Sequence, residues 1–167
     1  MSLPSPLSLL EHDHAQLTRQ IAALHAEVTA LREVGAPAEP MADDLVQALV
    51  ALSEELFEHF AREEEGLFPF VVERAPDLAP DVAVLVEGHD RICGAASRLL
   101  ALRDRAPTPG TLDLAASLFQ RLVDVYAEHS GRELALLAAL APRLDAAAQA
   151  EFAVFIAGTD PPSKHST

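Results

Sequence analysis

Apolar residues in this chain return at every third or fourth position over long stretches, and clusters of proline and glycine punctuate those stretches. Leu10, Leu17, Ile21, Leu24, Val28 and Leu31 form one such stripe, and Leu45, Leu49, Leu52, Leu56, Phe60 and Leu67 form another. That spacing keeps one face of a 3.6-residue helix apolar, and a helix of this kind must bury that face against a neighbour. Strand signals are scarce. Alanine and leucine dominate, tryptophan is absent, and β-branched runs are few. The expected fold class is all-α.

The breaks between stripes set the expected elements. Ser8 is the candidate cap of a first helix running to about Val34, which Gly35-Ala-Pro37-Ala-Glu-Pro40 interrupts. A second helix is expected from near Met41, ending or kinking near Pro69 and resuming to Arg74, because proline lacks a donor and crowds the preceding turn. Pro76 and Pro80 frame the next connection, with Asp81 at a cap or first-turn position. A third helix is expected over about Val82 to Arg105, stopped by Pro107-Thr-Pro-Gly110. Thr111 is the candidate cap of a fourth, with Ala115, Leu118, Leu122, Tyr126, His129, Glu133, Leu136 and Leu140 facing inward before Pro142. Asp145 should cap a short fifth helix to about Ala157 that offers Phe152, Phe155 and Ile156 to the core. Long helices with short connections predict an antiparallel up-down-up-down four-helix bundle, one domain over residues 1–157, with a short fifth C-terminal helix and a flexible tail at 158–167.

At 167 residues the chain can bury a core without staples. The single Cys93 excludes an internal disulfide framework and fits a reducing compartment. No uncharged apolar run of about 18 residues appears, and Met1-Ser-Leu-Pro-Ser-Pro-Leu7 lacks the pattern of a secretion signal. A cytoplasmic location is the expectation. The formal net charge of −14 repels phosphate backbones and anionic lipid, so neither nucleic acid nor membrane is expected as a partner. A protein partner and the oligomeric state are left open.

Against that background two segments stand out. His59-Phe-Ala-Arg-Glu63 and His129-Ser-Gly-Arg-Glu133 each place a histidine four residues before a glutamate, and His14 and His89 precede them. His59 to His129 and Glu63 to Glu133 are each 70 residues apart, and His14 to His89 is 75. Helical i and i+4 side chains share a face with Cβ atoms about 5–6 Å apart, so each pair can reach one ion. The pattern divides the chain into half repeats at about 8–74 and 80–141, with His14 facing His59 and Glu63, and His89 facing His129 and Glu133. Four imidazoles and two carboxylates suffice for a compact dinuclear centre if both carboxylates bridge. The donor set suits iron, and zinc and manganese are compatible. A ferritin-type site needs Glu-x-x-His twice, and only Glu11-His-Asp-His14 has that spacing. No nucleophile elbow or cysteine–histidine signature is present.

These residues resemble the hemerythrin-like, or HHE cation-binding, family. The resemblance spans about residues 8 to 141 and rests on Asp13-His14-Ala-Gln-Leu17, His59-Phe-Ala-Arg-Glu63-Glu-Glu-Gly-Leu-Phe-Pro69, Glu87-Gly-His89-Asp-Arg-Ile92 and His129-Ser-Gly-Arg-Glu133. It implies a four-helix bundle holding two iron ions with an oxo or hydroxo bridge, His14 and His59 on one, His89 and His129 on the other, and Glu63 and Glu133 bridging. Dioxygen, nitric oxide or peroxide are the small ligands it implies. Oxygen-carrying members have a further histidine one turn after the third-helix ligand, where this chain has Cys93, and an aspartate five residues after the fourth-helix histidine, where this chain has Glu133 at four. The lost imidazole leaves the centre more open, which favours peroxide or oxygen chemistry of a weak oxidase or peroxidase type, or iron sensing, over reversible carriage. An iron- or oxygen-responsive module without turnover, and a structural bundle with a vestigial or zinc-filled site, are the rival readings.

Other residues have two readings each. Cys93 is a small buried thiol or a weak ligand, and Tyr126 a packed aromatic or a donor toward a bound oxygen species. Glu58, Glu64 and Glu65 are solvated acids, or one of them accepts the bond that fixes an imidazole tautomer, and Asp13 and Asp90 follow the same logic. His12 points away from His14 on a helical wheel, His25 is a packed or rim histidine, and His165 belongs to the tail. Phe57, Phe60 and Phe68 are expected in the core, keeping the centre dry.

Overall fold

The computed structural model describes residues 6–35, 43–103, 105 and 108–157. They are all-helical, with no strand among them: α1 Pro6–Val34, α2 Asp43–Arg62, a π-helical turn Glu63–Leu67, α3 Phe68–Arg74, a 3-10 turn Pro76–Leu78, α4 Ala79–Leu100, α5 Pro109–Leu140, a 3-10 turn Ala141–Arg143 and α6 Ala146–Ala157. Among the described residues no helix is long and apolar enough to cross a membrane. The expected helix start near Met41 and the tail at 158–167 lie outside the described residues.

Several boundaries differ from expectation because prolines begin these helices rather than delimit them. Proline is tolerated in the first turn, where its missing N–H has no intrahelical partner to lose. Ser8 therefore lies inside α1, which starts at Pro6. Pro80 sits in the first turn of α4, ahead of the expected Val82, and Asp81 is its first-turn acid. Thr108, not Thr111, caps α5: its hydroxyl accepts the Thr111 N–H at 3.2 Å, with Pro109 following it. At the other end α4 stops at Leu100, five residues short of Arg105. There the bonds tighten to a three-residue span, Leu102 N–H to Leu99 O and Arg103 N–H to Leu100 O. Asp145 caps α6 as expected, accepting the Ala148 N–H at 2.8 Å.

Around Pro69 the helix neither ends nor breaks. The irregularity falls a turn earlier, where the Phe68 N–H bonds to Glu63 O in the wider π pattern. Widening the turn ahead of a proline relieves the crowding its ring imposes on the carbonyl four residues back. The turn that gives way begins with Glu63.

The core has two apolar clusters. One gathers Leu17, Ile21, Leu24 and Val28 of α1, the α2 leucines and Phe60, Ile92 and Leu99 of α4, and Phe119, Leu122 and Tyr126 of α5. The other gathers Leu67, Phe68, Phe70 and Val71, with Leu85 of α4, Leu136, Leu137 and Leu140 of α5, and Phe152 of α6. Each fully buried leucine or phenylalanine is worth about 1.5–3 kcal/mol relative to exposure. Phe60 and Phe68 join these clusters, but Phe57 is half exposed and does not. It follows buried Leu56 by one residue, roughly 100° round the helix, and so turns off the inward face.

Between the clusters the inner faces of the π turn, α4 and α5 turn polar. Glu63 falls between Phe60 and Leu67, His89 between Leu85 and Ile92, and His129 and Glu133 between Tyr126 and Leu136. The packed apolar ends thus fix a polar layer that water does not reach.

Candidate metal centre

Each helix brings its donor by the same device, a stripe position where a polar side chain replaces an apolar one. α1 supplies His14, α2 His59, the π turn Glu63, α4 His89, and α5 both His129 and Glu133. Glu133 is 0% exposed and the other five are 3–4% exposed. The six residues singled out in the sequence therefore meet in one buried cluster.

Glu63 stands at its centre. One carboxylate oxygen lies 2.7 Å from His59 Nε2 and the other 2.9 Å from His89 Nε2. Glu133 Oε2 lies 3.0 Å from His14 Nε2 and 3.7 Å from His129 Nε2. Donor atoms of His14, His59, Glu63 and Glu133 are all within 4.8 Å of one another, and so are those of Glu63, His89 and His129. These are two donor sets sharing one carboxylate.

The histidines group as the half repeats anticipate, His14 with His59 and His89 with His129, but the carboxylates cross between them. His89 meets Glu63 rather than Glu133, and His14 meets Glu133 as its near carboxylate. α2 packs on α4, and α1 packs along α5, so each glutamate faces the histidine of the other half. The two halves interleave.

Burial opposes charge on all these groups, and their contacts decide which way each moves. Burial would lift the Glu63 carboxyl, but His59 and His89 beside it hold it well below the usual carboxylate range. Glu133 is raised, by burial and then by the charge of Glu63. Burial lowers His14 and His89, yet Glu133 for the first, and Glu63 and Glu64 for the second, leave both above the ordinary imidazole value. His129 is pushed down to about 3 by burial, opposed by Glu63 and reinforced by the other imidazoles. An imidazole kept neutral has its lone pair free for a cation.

The test of whether a metal fits lies in the atoms left over. His14 Nε2, His59 Nε2, His89 Nε2, His129 Nε2 and both oxygens of Glu63 and Glu133 are buried without a hydrogen-bond partner, despite the short distances between them. Leaving so many buried polar atoms without hydrogen bonds is costly. Imidazole nitrogens and carboxylate oxygens at this spacing are the donor chemistry of a first-row transition metal, and a bound cation would satisfy these atoms together. The cluster supports metal binding.

Around the cluster, Glu64 Oε1 lies 2.6 Å from His89 Nδ1 in a hydrogen bond, the contact that fixes a ligand tautomer. Glu58, Glu65 and Asp90 are exposed, and Asp13 is half-buried. Cys93 is half-buried against the first apolar cluster and belongs to neither donor set. Burial, with Asp90 and Glu64, raises its thiol above the usual value. Tyr126 is buried with its ring 6.3 Å from that of His14 and its hydroxyl unpartnered; burial and the two glutamates push its pKa up. His89 stacks on Phe60 at 3.9 Å and on Phe68 at 5.6 Å. His25 stacks on Phe119, apart from the cluster. The side chain of His12, and His165, lie outside the described residues.

Gly88 is the contributor that sequence reasoning passed over. A Cβ there would stand 2.8 Å from His129 Nδ1, so only glycine lets that ring lie against α4. The signal was a glycine in a helix interior, beside a candidate ligand, at a position costing about 1 kcal/mol against alanine.

The chain matches the family model described as hemerythrin HHE cation binding domain over residues 5–152. No curated protein and no solved structure gives a significant match.

Proposed function

Because this chain belongs to the hemerythrin HHE cation-binding family, we propose that it is a non-haem di-iron protein that binds or reacts with dioxygen, nitric oxide or peroxide. The observation carrying this reading is the pair of buried donor sets joined at Glu63, with their nitrogen and oxygen atoms unpartnered. His14, His59 and Glu133 would hold one ion and His89 and His129 the other, with Glu63 shared by both. When bound, the two irons supply open coordination positions and electrons for a small ligand.

The chain's own residues do the rest. Phe60 and Phe68 wall His89 from water, Glu64 orients that imidazole, and Tyr126 holds an unused hydroxyl proton near His14. Cys93 stays out of the donor sets as a small apolar filler. The contacts of α1 with α5, from Arg32–Asp113 through His25–Phe119 to His14–Glu133, run in opposite senses along the two helices. They favour the antiparallel up-down-up-down bundle. We read it as one domain of two half repeats, and the single Cys93 supports a reducing, cytoplasmic setting.

A second reading, an iron- or oxygen-responsive module without turnover, draws on the position of the cluster between the two apolar cores, where metal loss would be felt by both. The discriminating experiment is peroxide addition to iron-loaded protein with a test reductant. A peroxide-dependent spectral change and reductant oxidation, both lost in His59→Ala, support the first reading. An iron-loaded chain inert to peroxide whose protease sensitivity follows its metal content supports the second.

A further inference from the structure

The two donor sets are unequal. The first, His14, His59, Glu63 and Glu133, offers four side chains including both carboxylates; the second, Glu63, His89 and His129, offers three with one carboxylate, Glu133 lying 3.0 Å from His14 but 3.7 Å from His129. Cys93, one turn after His89, joins neither set. A divalent cation gains more from two carboxylates than from one, and more donors leave it less dependent on water.

Access points the same way. His59, a member of the four-donor set, lines a surface cleft that also carries Asp13, Glu55 and Glu58, with Arg62 as its one basic side chain. Three acids over one base draw cations toward His59. Within that wall His59 is 3% exposed and its Nε2 is unpartnered.

We propose, building on the metal-binding reading above, that the centre fills in order: the first divalent ion enters beside His59 and settles in the four-donor set, and the three-donor set completes only at higher metal concentration. The chain then has a stable one-metal state, and the second position is the one whose occupancy reports metal supply. Glu64 belongs to that second position, since it bonds the outer nitrogen of His89.

The test is titration of the metal-free full-length chain with cobalt(II), followed by calorimetry and visible absorption. Wild-type protein should bind in two steps whose affinities differ by about tenfold or more. His89→Ala should keep the tight step and lose the weak one. Glu64→Gln, a change at a partly exposed side chain that spares the core, should weaken only the second step by about tenfold or more. Glu133→Gln should weaken the tight step. Two equivalent sites in the wild type, or a tight step lost in His89→Ala or weakened in Glu64→Gln, would overturn the order while leaving metal binding intact. No cobalt binding by the wild type would overturn the metal reading and this inference with it.

Discussion

Gly88 and Tyr126 give the sharpest tests of the site at the level of single side chains. Gly88→Ala places a methyl 2.8 Å from His129 Nδ1, and overpacking of this kind costs about 1–3 kcal/mol. A lower urea midpoint together with reduced metal content is the expected outcome; unchanged metal content would mean that His129 does not depend on the close approach. Tyr126→Phe removes a buried hydroxyl that bonds nothing, so the metal-free chain should be unchanged or stabilised by up to about 1 kcal/mol, as read by denaturant unfolding. The raised imidazoles fix a pH dependence. His14 and His89 titrate above the ordinary value in the metal-free fold, so the stability they contribute is present below about pH 6.5 and is lost as pH rises through their raised values. Metal must displace those protons. The rise in melting temperature on adding metal should therefore shrink as pH falls from about 8 to about 6; a rise that grew on acidification would contradict the assignment.

At the level of elements, helix identity could be read from the sequence and helix ends could not. The stripes through Leu17, Ile21 and Leu24, and through Ala115, Leu122 and Tyr126, repeat at a period only a helix satisfies, and their members are buried as that period requires. The ends depend on where a proline falls relative to the first turn, and the same residue reads as a stop or as a start. Pro80 and Pro109 are starts. Thr108→Ala should cost about 0.5–2 kcal/mol by removing the α5 cap, without change in metal content, because the cap lies a long way along α5 from His129. Thermal unfolding and metal analysis of the same preparation check both parts. The π turn at Glu63–Leu67 was legible only as a disturbance near Pro69; its position follows from bonds that sequence spacing does not specify.

Across the whole molecule, the convergence of four histidines and two glutamates was readable because each sits on an apolar stripe, and stripes must face one another. Which glutamate meets which histidine was not. That depends on α2 lying beside α4 and α1 beside α5, a choice made by packing over the full chain. The same packing seals the polar layer between two apolar clusters, so a metal bound there is held by elements of both. A ligand that binds only the folded state raises its stability, and metal-loaded protein should melt well above metal-free protein. The most direct measurement of the central claim is iron content per chain after reconstitution, in wild type and in Glu63→Ala, since Glu63 is the one residue shared by both donor sets. About two irons per chain are expected in the wild type, the number that di-iron carboxylate bundles hold, and almost none in the variant. A wild type without iron, or a variant that retains it, would mean that Glu63 does not join two metal positions.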